Sequence, residues 1–165
     1  MRYYVVVAGL VLSIFMLGCS SSRSLTKEEK AAKEVVLRKA IENRGFVVDV
    51  DRMLPMSGRS RTLTSPYSLE INGEQVKSHL PYFGRAYSVP YGGGDGLNFE
   101  ATVTDYTSSF DSKGKASVAF QAKTKEDQYS FRLEIFPNGS TSIQVTSVNR
   151  QGISFQGTTS DKKSE

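Results

Sequence analysis

The sequence is poor in the residues that most often build metal centres and catalytic relays. Cysteine and histidine each occur once, as Cys19 and His79. One cysteine excludes an intramolecular disulfide, so packing alone must hold the core. One histidine excludes a histidine-rich metal site, and no zinc-type spacing of cysteine and histidine is present. The sequence therefore predicts a protein that binds no metal or other cofactor.

No charge of one sign dominates the chain. Lysine and arginine number 21 against 17 acidic residues, and the formal net charge is +4 at pH 7. A nucleic-acid-binding protein gathers its basic residues on one face, whereas these are spread along the sequence. The charge pattern indicates a solvated surface and no nucleic-acid partner.

The one long apolar run stands at the start of the chain. Residues 1–18, MRYYVVVAGLVLSIFMLG, carry one positive charge at Arg2, an apolar core and a small residue at Gly18. This is the layout of a secretory signal peptide. The run is shorter than the roughly 20 apolar residues that span a bilayer. We expect residues 1–18 to be removed.

Met16-Leu17-Gly18-Cys19 resembles a bacterial lipobox, which is cut between Gly18 and Cys19 and acylated on the cysteine. The alternative is a plain secreted protein that carries Cys19 as a spare thiol. A lone thiol lacks a partner in an oxidising compartment, so lipidation is the better interpretation. Acyl chains on Cys19 would hold the protein on a membrane.

The residues after the cysteine indicate where the anchor lies. Ser20 follows Cys19, and the first acidic residue is Glu28. In lipoproteins of this kind the pattern favours the bacterial outer membrane, with the protein facing the periplasm. Residues 19–25 form a polar tether that reaches at most roughly 25 Å, so the domain should sit close to the bilayer.

A single helix is predicted over residues 27–44. Thr26 and Glu29 have the spacing of a capping box, in which each side chain accepts a hydrogen bond from the other's backbone N–H. Gly45 stands where a helix commonly ends in a glycine.

The rest of the domain, to residue 157, has the alternation of β-strands. Loops at 112–114, 124–127 and 137–139 set Phe110 opposite Ala116, Phe120 opposite Phe131, and Leu133 opposite Ile143. A two-residue turn at Asn72-Gly73 would set Leu69 opposite Val76, and a last strand would set Phe155 opposite Val145. The apolar phase slips near Asp105, which predicts a bulge there.

These patterns predict an α+β fold. We expect an N-terminal helix packed on a curved, mainly antiparallel β-sheet or open barrel of about eight strands, with a five-strand meander over residues 97–156. One domain would span residues 26–157, and residues 158–165 would be a disordered tail.

Two stretches resemble a known family. They are PMSGRSRTLTSPYSLEINGEQVKSHLPYFGRAYSVPYGGGDGLNFEA (55–101) and IFPNGSTSIQVTSVNRQGISFQG (135–157). They are similar to the domain of unknown function 4251, a group of bacterial envelope lipoproteins. The resemblance implies a signal peptide, a lipidated cysteine, a helix and an antiparallel sheet. It implies no catalytic residues.

Candidate sites for chemistry are few. A Ser–His–Asp arrangement around His79 is conceivable, but an ordinary strand histidine is the simpler interpretation. Asp49 and Asp51 lie on one strand face, and paired carboxylates serve glycoside hydrolysis, although solvated surface acids are commoner. The glycine run 92–96 leads into a strand pattern rather than a helix, which favours a turned or mobile loop over a phosphate cradle.

An aromatic segment precedes that glycine run. Tyr82, Tyr87, Tyr91 and the nearby Asp95 form a candidate edge for a ligand or partner. Core packing is the alternative for these tyrosines. We expect Tyr82 to belong to the core and Tyr91 to the edge.

Three functions remain open. The first is a non-catalytic envelope lipoprotein that binds or scaffolds a protein partner at the outer membrane. The second is a carrier that holds a small apolar ligand in a curled sheet. The third is a carboxylate-based hydrolase. We expect no enzyme, because the sequence shows a lipidation motif and no convincing catalytic constellation.

Replacing Cys19 by alanine should abolish acylation, because the thiol is the atom that accepts the acyl chain. The expected product is an uncleaved precursor or a soluble form. Incorporation of a labelled fatty acid and partition into detergent measure the change. A wild-type protein that takes up no label and stays in the aqueous phase would contradict the prediction.

Overall fold

The computed structural model describes residues 26–84, 87, 97–125 and 127–162. In this part of the chain one helix precedes eight strands. The elements are α1 (Lys27–Glu42), β1 (Gly45–Pro55), β2 (Arg61–Asn72), β3 (Gln75–Leu80), β4 (Leu97–Phe110), β5 (Ala116–Lys123), β6 (Gln128–Ile135), β7 (Ser140–Ser147) and β8 (Ile153–Asp161). Each strand pairs with its neighbours in sequence, and β8 pairs with β1. The predicted α+β fold with an N-terminal helix is confirmed, but the sheet is a closed barrel rather than a curved sheet or open barrel.

The pairing of β1 with β8 corrects the predicted tail. Residues 158–161 belong to β8, and Asp161 lies opposite Phe46. Thr159 is buried, and its hydroxyl group bonds to that of Thr141. A main-chain ladder needs no apolar side chains, so the polar sequence of this stretch concealed the strand.

The start of α1 follows the prediction. Thr26 Oγ1 accepts a hydrogen bond from the Glu29 N–H at 3.2 Å, and the Thr26 N–H donates to Glu29 Oε2 at 2.8 Å. The predicted capping box is therefore present.

The end of α1 differs from the prediction. The helix ends at Glu42, and the left-handed residue that follows is Arg44, with φ of 54°, rather than Gly45. Arg44 is held there by two contacts. Its carbonyl accepts a hydrogen bond from the Gly73 N–H at 2.8 Å, and its guanidinium lies 4.7 Å from the Tyr106 ring centroid. These contacts offset the strain that a non-glycine residue meets in this region.

α1 closes one end of the barrel. Leu37, Ala40 and Ile41 are buried in the common core. Tyr106 Oη donates a hydrogen bond to the Ile41 carbonyl at 2.8 Å, and burial raises the pKa of Tyr106 to about 12. We call this end, with the turns at 73–74, 111–115 and 136–139, the helix end. The connections at 56–60, 124–127 and 148–152, with residues 81–84 and 87 of the β3–β4 connection, form the opposite, loop end.

The predicted bulge near Asp105 is confirmed. Asp105 has φ of 53°, and the pairing of β4 with β5 shifts between Thr104 and Thr107. The shift returns Tyr106 to the inner face, where its ring stacks on Phe120 with centroids 6.4 Å apart.

Three of the five predicted hairpin registers are confirmed. The pairs Phe110–Ala116, Phe120–Phe131 and Leu133–Ile143 face each other as expected. The other two are displaced by two residues. Val76 faces Ile71 across a Gly73-Glu74 turn, and Phe155 faces Ile143. Because side chains alternate with a period of two, such a displacement keeps every residue on its predicted face, and alternation alone cannot detect it.

The paired rings of Phe120 and Phe131 provide a test of the core. The rings stack with centroids 4.8 Å apart. Phe120→Ala and Phe131→Ala should each destabilise the fold by about 3–5 kcal/mol. In a double-mutant cycle measured by urea unfolding, the two changes should couple by about 0.5–3 kcal/mol. As a control, Phe131→Ala and the exposed Val36→Ala should be additive. Additivity of the two phenylalanine changes would contradict the observed packing.

Candidate functional site

The loop end gathers residues from four connections that are far apart in sequence. In an antiparallel barrel, alternate connections emerge at the same end, and α1 occupies the other one. Of the long β3–β4 connection, residues 81–84 and 87 are described. The loop end is the place where the candidate edge residues Tyr82 and Tyr87 lie.

A buried ion pair supports this end. The side chains of Asp127 and Arg150 are only 2% and 7% exposed, and Asp127 Oδ2 lies 3.9 Å from Arg150 Nε. Asp127 Oδ1 accepts hydrogen bonds from the Gln128 N–H at 2.8 Å and from Asn149 Nδ2 at 3.3 Å. We call Asp127, Asn149 and Arg150 the polar cluster. A buried charge is tolerated only when it is paired, so the cluster holds the β5–β6 and β7–β8 connections together.

Tyr82 joins the β3–β4 connection to this support. Its Oη donates a hydrogen bond to the Gln151 carbonyl at 2.9 Å, and the Arg150 guanidinium lies 5.5 Å from the centre of its ring. The ring packs against the hydrophobic core, and burial raises the pKa of Tyr82. Tyr82 therefore has a structural position, as the sequence indicated.

Four large apolar side chains at the loop end face solvent. Met56, Phe83, Tyr87 and Val148 are between 54% and 79% exposed. We call these four residues the apolar rim. The Tyr87 N–H donates to the Asn149 carbonyl at 2.8 Å, and the Arg61 guanidinium lies 5.1 Å from the centre of the Phe83 ring. The polar cluster and β2 thus hold parts of the rim in place.

The predicted site residues divide into two groups. Tyr82 and Tyr87 come together at the loop end, one partly buried and one exposed. Gly18, Cys19, Tyr91 and Asp95 lie outside the described residues, as does the glycine run 92–96. Sequence reasoning missed the polar cluster and the rim residues Met56 and Val148. A single Met or Val in a loop sequence gives no indication of which residues will lie beside it in the folded protein.

The candidates for catalysis lie on strands β1 and β3 rather than in the connections of the loop end. The His79 ring stacks on Tyr67 with centroids 5.3 Å apart, and Nδ1 lies 3.2 Å from Asn98 Oδ1 rather than from a carboxylate. Asp49 and Asp51 are exposed on β1. The described ranges contain no group of three or more histidine, cysteine or acidic residues that could hold a metal.

No helix among the described residues has the length and apolar character needed to cross a membrane.

Comparisons with known proteins bear on the family and on the fold. The family model of DUF4251, a domain of unknown function, matches residues 28–159. The structure is similar to the crystal structure of a DUF4251 family protein from Bacteroides eggerthii DSM 20697, with a TM-score of 0.62 and 16% sequence identity. The match covers 80% of this chain and 91% of that one. At this identity the likeness speaks for the fold alone. No curated protein is significantly similar in sequence.

The two tyrosines should respond differently to truncation. Tyr82→Ala removes packing and the bond to Gln151, and should lower the stability by about 1–3 kcal/mol and the melting temperature by several degrees. Tyr87→Ala removes an exposed ring and should change the stability by less than about 0.5 kcal/mol. Thermal unfolding followed by circular dichroism measures both. Equal losses for the two variants would contradict the assignment of Tyr82 to the support and Tyr87 to the rim.

Proposed function

Because the chain belongs to the DUF4251 family, a domain of unknown function, we propose a function from its own residues. The protein is a non-catalytic lipoprotein of the bacterial outer membrane, anchored through Cys19 and facing the periplasm. It binds or scaffolds an envelope protein through the loop end of its barrel.

The observation that carries the proposal is the apolar rim. Exposed apolar side chains are ordinary when scattered singly, but a group of them framed by polar residues is typical of an interaction site. Here four such side chains gather at one end of the barrel. The polar cluster beneath them supplies a firm base, which lowers the entropy lost when a partner binds.

The position of α1 supports the orientation. The helix begins at Lys27, one residue after the seven-residue segment 19–25 that would start with the acylated cysteine. It packs on the helix end, so an anchor at Cys19 would hold that end towards the bilayer. Strands of eight residues, such as β5, separate the two ends by roughly 20 Å once the barrel tilt is included. The loop end then points away from the membrane, towards other envelope proteins.

The packed interior favours binding at the surface over carriage of a ligand inside the barrel. Phe46, Phe120, Tyr129, Phe131 and Phe155 are each no more than 2% exposed and belong to one core. An apolar ligand would have to displace these rings, at a cost of several kcal/mol. A hydrolase is also disfavoured, because Asp127 is committed to Arg150 and the β1 carboxylates face solvent.

Site-specific photocrosslinking in native membranes tests the proposal. A photoreactive phenylalanine analogue at Tyr87 should capture a discrete envelope protein, because this position lies in the rim. The same analogue at Ser112, an exposed position in a turn of the helix end, is the matched control and should capture no such protein. The Cys19→Ala change should reduce the crosslinking yield of the Tyr87 probe, because it removes the protein from the membrane. Equal capture of envelope protein at Tyr87 and Ser112 would contradict the proposal.

A further inference from the structure

We propose that the loop end recognises an acidic segment of a protein partner, in which carboxylate side chains stand beside apolar ones. This inference rests on the proposed function and names the chemistry of the partner. It is carried by the charge that surrounds the apolar rim.

Exposed cations surround the rim. Arg59, Arg61, Lys123 and Lys125 lie in the connections at the loop end or at the strand ends beside them, and all four are exposed. The carboxylate described in these segments is that of Asp127, which is buried against Arg150. Over the whole segments 56–61, 81–96, 123–127 and 148–152 the sequence has six basic and three acidic residues. Arg85, Asp95 and Glu126 of that count lie outside the described residues.

The four cations are not neutralised by the described part of the protein. No described carboxylate lies within ion-pair distance of any of them. Three lysines elsewhere are paired: Lys115 Nζ lies 3.0 Å from Glu134, Lys77 lies 2.8 Å from Glu100, and Lys162 contacts Glu70. At the helix end, the β4–β5 turn carries Asp111 beside Lys113 and Lys115. The loop end therefore presents four exposed cations without a described carboxylate partner beside its apolar rim.

The combination of cations with an apolar rim selects the class of partner. Arginine, methionine and aromatic residues are the types enriched in protein–protein interfaces, and Arg61 lies directly over the Phe83 ring. An anionic polysaccharide would leave the apolar side chains without apolar partners. A lipid surface would lie at the helix end, where the anchor is attached. A peptide that carries both carboxylates and apolar side chains satisfies both parts of the surface.

The test uses the full-length protein in native membranes, with the photoreactive analogue at Tyr87 as the reporter. The double change Arg59→Glu and Arg61→Glu should lower the crosslinking yield about tenfold, since two attractive contacts become repulsive. Lys113→Glu, an exposed charge reversal in a turn of the helix end, is the matched control and should leave the yield unchanged. The yield should also fall as salt rises from 50 to 500 mM, as expected when charge attraction drives the encounter.

Competing synthetic peptides identify the chemistry. A peptide of alternating glutamate and leucine should compete for the Tyr87 crosslink, while its lysine–leucine counterpart and polyglutamate should not. Mass-spectrometric mapping should locate the captured segment in an acidic stretch of a protein. Equal competition by polyglutamate, or by an anionic polysaccharide, would overturn the inference by showing that charge alone suffices. Crosslinking of the Tyr87 probe to lipid would also overturn the inference.

The failure of this inference is distinguishable from the failure of the proposed function. If Tyr87 captures a protein but the charge reversal and salt leave the yield unchanged, the partner is not acidic and the proposed function stands. If Tyr87 captures no protein, both fail. Circular dichroism shows whether the charge-reversed variant is folded. If that variant is unfolded, the double change Arg59→Gln and Arg61→Gln replaces it, and a smaller loss of crosslinking yield is expected.

Discussion

The pairing of β1 with β8 is the constraint on which the rest of the structure depends. It joins the first strand to the last, and the backbone groups of both edges find partners within the barrel. The approach is close enough that a Cβ at Gly157 would overlap the Asp49 carbonyl, so this position requires glycine. Closure also defines two ends of the barrel, and the function proposed for the protein depends on the difference between them.

The two ends have different roles because different elements cover them. At the helix end, α1 seals the core, and the bulge at Asp105 brings Tyr106 to the Ile41 carbonyl to fasten the helix. At the loop end no helix among the described residues covers the barrel, and a buried ion pair provides the support instead. A buried pair adds little net stability, but loss of one partner leaves an uncompensated charge, so it fixes the geometry of the connections. The exposed apolar rim lies on these fixed connections.

The packed interior of the barrel leaves recognition to the outer surface of the protein. The barrel is filled by stacked aromatic rings, including Phe99 on Tyr129 with centroids 4.7 Å apart. Because the side chains interlock in this way, the inner face of the barrel serves the stability of the fold rather than the binding of a ligand. Recognition is then left to the surface, and at the loop end exposed cations without a described carboxylate partner lie beside four exposed apolar side chains.

The sequence by itself determined the local features of this protein. The capping box at Thr26, the loop at 124–127 and the bulge at Asp105 each depend on residues close together in the chain, so spacing and turn chemistry were enough to predict them. The α+β class followed from the same patterns.

Tertiary structure decided the closure of the barrel and the make-up of the loop end. The Gln151 carbonyl that accepts the Tyr82 hydroxyl is 69 residues away in sequence, and Asn149 reaches Asp127 across 22. Alternation with a period of two assigns faces, but it leaves the register free to move by two residues and says nothing about which edges meet. Contacts of this kind exist only after the whole ladder has formed, because the position of each strand is fixed by its neighbours and not by its own side chains.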